Sequence, residues 1–134
     1  HLKILNYYNI MASVITSLKS LDELKKLLSS NPGILIIKLG ATWCGPCQKI
    51  EPLVHSYFEK MAKMHNVILC NLDVDDNFEV YGHFKRKKIV NGIPALLAYY
   101  PENEDGFPDD FIAGADETRV SMFFGRCIGH VNNA

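Results

Sequence analysis

"KLGATWCGPCQKI", Lys38 to Ile50, places two thiols three positions apart at a change of pattern. Before it, "ILIIKL" (Ile34 to Leu39) is an almost unbroken apolar run that follows the turn formers Asn31-Pro32-Gly33. That is the signature of a central strand buried on both faces. After it, Ile50, Leu53, Val54, Tyr57, Phe58, Met61 and Met64 recur at helical spacing. The spacing predicts a long amphipathic helix, with Pro52 as a kink. Cys44 and Cys47 therefore fall where a buried strand gives way to a helix.

Two close thiols can clamp a metal, staple a loop or exchange electrons. Zinc takes four ligands, commonly as two short-spaced pairs. Here Cys70 and Cys127 each stand alone, and His1, His55, His65, His83 and His130 are scattered, so no metal site is expected. A static bridge between Cys44 and Cys47 closes so few residues that it would restrain the unfolded chain little. The helix start favours the third option. Its free N–H groups and dipole stabilise an anion, which holds the Cys44 thiolate below the ordinary cysteine pKa of about 8.5. Pro46 sits in the first turn, where its missing N–H costs nothing. Cys47, one turn on, is expected to be more buried and able to reach back. Cys44 would then attack a target disulfide and Cys47 would resolve the mixed disulfide.

Outward from this centre, "SVIT" (Ser13 to Thr16) reads as a short strand. Ser20 and Glu23 form a capping box ahead of Leu21, Leu24, Leu27 and Leu28 on one helical face. "NVILCNLDV" (Asn66 to Val74) reads as a strand, and Asp76 and Glu79 open a helix with Phe78, Tyr81 and Phe84 as its stripe. "ALLAYY" (Ala95 to Tyr100) and "DFIAGA" (Asp110 to Ala115) are strands around an acidic loop, and Val120, Phe123, Phe124, Cys127 and Ile128 belong to a closing helix. The order is strand, helix, strand, helix, strand, helix, strand, strand, helix. It predicts an α/β fold with a mixed central sheet of about five strands flanked by four helices.

Composition narrows the function classes. Fourteen Lys+Arg against 15 Asp+Glu argues against binding nucleic acid or membrane by bulk charge. No apolar run approaches the roughly 20 residues that span a bilayer. The first methionine is Met11, so residues 1–11 are read as a tag or upstream segment and 12–134 as a single domain. An interior reducing compartment, the cytoplasm, is the expected location.

The chain resembles the thioredoxin family. "WCGPC" (Trp43 to Cys47) matches that family's active site letter for letter. "GIP" (Gly92 to Pro94) matches the segment whose proline is cis and faces the dithiol. Gly114-Ala115 matches the glycine-bearing turn beside the same surface, and "LDVDD" (Leu72 to Asp76) looks like the end of the family's third strand. The resemblance spans residues 12 to 131. It implies a thioredoxin fold and a protein-disulfide reductase without metal or organic cofactor, with NADPH involved only indirectly through a thioredoxin reductase. It implies disulfide-containing protein substrates and a monomer. Trp43, Gly45, Pro46, Gly92, Ile93, Pro94 and Gly114 would form the substrate surface, with Ile93 offering its backbone as an added strand does. An oxidase or isomerase on the same fold, and a partner-binding module with the dithiol incidental, are the alternatives.

The chain departs from the family pattern in places. Six positions before the first cysteine the family typically has an aspartate; this chain has Lys38. Where the family often has a lysine on the third strand, Asn71 stands here, with Asp73 two residues on along the same face. Strand alternation suggests a reversed pair, Lys38 with Asp73. A buried cation would favour both thiolates and make the protein less reducing. Gly40 replaces the family's tryptophan and opens the surface beside Trp43. "KRKK" (Lys85 to Lys88) is expected at the active-site end of the sheet and the acidic "ENEDG" (Glu102 to Gly106) at the opposite pole.

Overall fold

The computed structural model describes residues 13–133, and the reading of residues 1–11 as upstream sequence lies outside them. In chain order the elements are α1 (Leu21–Ser29), β1 (Ile34–Gly40), α2 (Gly45–Met61), β2 (Val67–Asp73), α3 (Phe78–Arg86), β3 (Ala95–Tyr99), β4 (Asp110–Ala113) and α4 (Glu117–Asn132). The sheet order is β2-β1-β3-β4. β1 runs parallel to β2 and antiparallel to β3, and β3 is antiparallel to β4. The apolar run Ile34–Gly40 thus has a strand on each side, and every one of its residues is buried.

Side-chain alternation along β1 divides the core between two layers. Leu35, Ile37 and Leu39 pack with Leu24 of α1 and with Val80 and Phe84 of α3. Ile34 and Ile36 pack with Val54, Phe58 and Met61 of α2 and with Val120, Phe123 and Phe124 of α4. Phe124 stacks on Tyr57 at 4.7 Å and meets Phe123 edge-on at 5.3 Å. Each such side chain, fully buried, stabilises the fold by about 1.5–3 kcal/mol. By the same alternation Lys38, two beyond Ile36, faces the α2 layer.

Local signals account for the helix ends. Ser20 and Glu23 form the expected capping box, and the Asp116 side chain accepts from the Arg119 N–H at the start of α4. α2 continues through Pro52. Gly33 is required by a close approach, because a Cβ there would lie 2.6 Å from the Asn66 carbonyl oxygen.

The expected first strand is reduced to a bridge. Ile15 pairs with Cys70; its N–H donates to Leu69 O at 2.9 Å and its carbonyl accepts from Asn71 N at 2.8 Å. Beyond it, the buried Asn77 takes over the backbone, accepting from Leu18 N–H at 2.7 Å and donating to Thr16 O at 3.3 Å. The chain is thereby drawn off the β2 edge, and the sheet among the described residues has four strands rather than about five.

Candidate active site

Cys44 is the N-cap of α2, with extended backbone. Its position follows from the sharp end of β1 at Gly40 and a turn in which the Cys44 N–H donates to Ala41 O at 3.2 Å. The Cys47 N–H donates to Cys44 Sγ at 3.2 Å. That bond and the helix dipole both favour negative charge on this sulfur. Cys44 and Cys47 are joined as a disulfide with Cα atoms 5.2 Å apart. Cys44 is 6% exposed and Cys47 1%, so Cys44 presents the more accessible sulfur.

The loop before β3 completes this end of the sheet. Leu39 pairs with Ala95, which brings the preceding Gly92–Pro94 beside the chain leaving β1. The Ile93–Pro94 peptide bond is cis, and Ile93 packs against the apolar cluster that contains both cysteines. Gly114, at φ +94 where a side chain would be strained, donates its N–H to Pro94 O at 2.9 Å. Gly45, Pro46 and Gly92 are exposed, and nothing lies within 4 Å of where a Cβ on Gly45 or Gly92 would sit. Trp43 is 68% exposed, its indole N–H donating to Asp75 Oδ2 at 2.7 Å. The residues expected from sequence thus gather at one end of the sheet.

Lys38 is buried beneath this surface, and here the sequence expectation is corrected. Its ammonium pairs with Glu51 of α2, not with Asp73. The register explains why: Lys38 lies opposite Asn71, whereas Asp73 lies opposite Gly40, further toward the loops. There Asp73 accepts backbone N–H groups of Thr42 at 3.3 Å and Asp75 at 2.8 Å. Glu51 follows Cys47 by four positions, one helical turn, and so shares its face of α2. Asn71 Nδ2 donates to the other Glu51 oxygen at 3.3 Å. Burial pushes the Lys38 amine down to about 8, which still leaves it charged at neutral pH beside the Glu51 carboxylate.

Glu51 and Asp75 are the participants sequence reasoning missed. The spacing of Glu51 from Cys47 was the available signal, and it carries meaning only once α2 is known to cover Lys38. A pocket of about 440 Å³ opens at the same place, with Lys38, Gly40, Cys47, Glu51, Asn71 and Asp73 in its wall. Gly40 makes room for it.

The other thiols are remote in character. Cys70 and Cys127 are buried, and desolvation pushes each up to about 12, so both stay protonated and inert near neutrality. Among the described residues no three His, Cys, Asp or Glu side chains are grouped to hold a metal ion. No described helix is long and apolar enough to cross a membrane. Lys85 and Arg86 end α3, and Lys87 and Lys88 begin the loop that leads to Gly92. The 102–106 loop follows β3 at the end of the sheet away from the dithiol, where Tyr99 pairs with Leu35.

Comparison with known proteins agrees with this geometry. The family model described as Thioredoxin matches residues 15–122. A thioredoxin of Coprinus comatus is 31% identical over 107 residues, covering 80% of this chain and 92% of that protein. The structure of Trichomonas vaginalis thioredoxin superposes with a TM-score of 0.68 at 25% identity, covering 85% of this chain and 96% of that one. A protein disulfide-isomerase of Schizosaccharomyces pombe is 24% identical over 114 residues, covering 85% of this chain and 30% of that protein.

Proposed function

This chain belongs to the thioredoxin family, and from that premise we propose that it is a thiol–disulfide oxidoreductase that reduces protein disulfides. The observation that carries the reading is Cys44 at the start of α2, its sulfur accepting the Cys47 N–H and bonded to Cys47. In the reduced protein the Cys44 thiolate attacks one sulfur of a target disulfide, and the other target sulfur leaves as a thiolate. Cys47, deprotonated, then attacks Cys44. The target departs as a dithiol carrying the two electrons the protein has given up, and Cys44 and Cys47 are left joined as a disulfide.

Ile93 and Pro94, beside Trp43, Gly45, Pro46, Gly92 and Gly114, are the proposed docking surface. An extended target segment would pair with the Ile93 backbone as an added strand. The exposed Trp43 indole, held at its N–H by Asp75, supplies apolar area. The recharging partner is an NADPH-dependent thioredoxin reductase, the working form a monomer and the location the cytoplasm.

Insulin reduction tests this reading. Wild type should precipitate the insulin B chain and Cys44→Ser should not, while Cys47→Ser should accumulate mixed disulfides. Equal activity of wild type and Cys44→Ser would leave a binding module instead.

The buried Lys38 favours a second reading, a less reducing protein that acts as an oxidant or isomerase. Its ammonium stabilises thiolates, though Glu51 offsets part of that field. Equilibration with glutathione decides: Lys38→Asp should be more reducing than wild type, and an unchanged equilibrium removes the oxidant reading.

A further inference from the structure

The end of α3 carries a lysine where its backbone calls for glycine. Lys87 is the cap and Lys88 follows at φ +59. The Lys88 N–H donates to Lys85 O at 3.0 Å and the Ile89 N–H to Phe84 O at 2.9 Å. This bonding pattern closes a helix on one left-handed residue, a conformation that glycine adopts without strain and a lysine does not. The chain thus keeps a positive charge at a position where it costs stability.

That charge belongs to a cluster. His83, Arg86 and Lys87 are spaced by three and four residues and so share one face of α3. A Cβ on Gly82 would lie 3.1 Å from Arg86 Nη1, so the bare glycine leaves room for the guanidinium to lie back along the helix. Lys25 joins from α1, whose Leu24 packs with Val80 and Phe84 of α3. Desolvation, then Arg86, Lys87 and Lys25, hold the His83 imidazole below the ordinary histidine value. Lys25, Arg86, Lys87 and Lys88 are all exposed. The ion pairs among the described residues are Lys38–Glu51 and Arg126–Asp110, so no carboxylate holds any of these four cations. The dipole of α3 favours cations in its last turn, which accounts for Lys85 and Arg86. It accounts neither for a left-handed lysine nor for Lys25 on another helix.

We propose that Lys25, Arg86, Lys87 and Lys88, with His83 among them, form a docking site for a short acidic segment of a partner protein. Charge complementarity selects the occupant. The cations are exposed and divided between two elements, which suits several carboxylates in a row; a single small anion needs a concave seat. Asp22 and Glu23 in the first turn of α1 and Glu79 in that of α3 limit the footprint. With a net charge of -1 for the whole chain, they disfavour a long polyanion such as nucleic acid. Seated carboxylates offset the cations around His83 and favour its imidazolium, so docking tightens as pH falls.

A fluorescent octaglutamate peptide, titrated into oxidised protein at low salt and followed by anisotropy, tests the site. Lys25→Glu/Arg86→Glu/Lys87→Glu should weaken binding by about tenfold or more, while Lys49→Glu/Lys60→Glu/Lys63→Glu, the same charge change on α2, should weaken it by about twofold at most. Lys88→Gly should melt at a higher temperature than wild type and still bind about threefold more weakly. With peptide bound, the His83 imidazole, followed by NMR, should titrate at higher pH than in free protein. Equal losses in the two triple variants trace the attraction to overall charge and overturn the proposal. So does a Lys88→Gly protein that melts lower or binds as tightly as wild type, and so does a His83 titration that the peptide leaves unmoved. Tighter binding of an oligothymidylate of the same length overturns it in favour of a nucleic-acid surface. None of these readouts passes through the dithiol, so the docking site stands or falls apart from insulin reduction.

Discussion

The Lys38 ammonium and the Glu51 carboxylate form an ion pair beneath Cys47, the lysine 3% exposed and the glutamate 37%. The two ends of the pair therefore carry different costs. Lys38 depends on Glu51 for its counter-charge, while Glu51 can turn to water.

Neutralising each end should give unequal losses of stability. Glu51→Gln leaves an ammonium buried without its partner and should cost about 2–3 kcal/mol. Lys38→Met removes the buried charge and keeps the stem, and should change stability by less than about 1 kcal/mol. Urea denaturation of the oxidised proteins measures both. The reverse ranking would mean that Lys38 does not depend on Glu51 for its charge.

Lys38 also predicts a pH dependence. Its amine is at about 8 in the folded protein against 10.5 for a free lysine, the difference arising from burial. Between these values the unfolded chain holds the proton that the folded chain has lost, so this contribution makes stability rise with pH. Cys70 and Cys127 act with opposite sign. Their thiols ionise at about 9 when unfolded and about 12 when folded, so their contribution falls as pH rises above 9. Subtracting the stability curve of Lys38→Met from that of wild type should isolate a component that rises from pH 8 to 10.5. A flat difference would exclude a depressed lysine.

Thiol reactivity should divide by environment. In reduced protein at pH 7, iodoacetamide should modify Cys44 first, because its sulfur is at the helix start and is the more exposed of the pair. Cys70 and Cys127 should remain unmodified until denaturant is added, since burial keeps them protonated. Peptide mapping after timed quenching reads the order, and early labelling of Cys127 would contradict its burial on the core face of α4.

The basic segment Lys85–Lys88 should act on encounter. Lys25, Arg86 and Lys87 together hold the His83 imidazolium down, after desolvation, which places charges of α1 and α3 on one face. Lys85 and Lys88 adjoin them in sequence. Reduction of an acidic disulfide protein should slow by about threefold or more between 20 and 200 mM salt, and the dependence should weaken in Lys87→Glu/Lys88→Glu. A rate indifferent to ionic strength removes this role.

Most of the architecture could be read along the chain, because its signals are local. The unbroken apolar run Ile34–Leu39 marked the central strand, and the helical spacing from Ile50 to Met61 marked α2. Together they put Cys44 at a helix start, from which its chemistry follows. Ser13–Thr16 misled because β-branched residues favour a strand without saying whether an edge is free to take one; Asn77, some sixty residues away, decided that. The loss of the family's tryptophan at Gly40 was visible, but not that the space becomes a pocket against Cys47.

Periodicity, turn residues and the Cys44–Cys47 spacing were enough to establish the order of elements, the position of the dithiol and its class of chemistry. They act through neighbours a few residues apart, and linear order preserves those relations. The partner of Lys38, the reduction of Ser13–Thr16 to a single bridge and the opening beside Cys47 depended on how α2 lies across β1 and on which groups reach across the gap. Those are distances between residues far apart along the chain, and packing alone sets them.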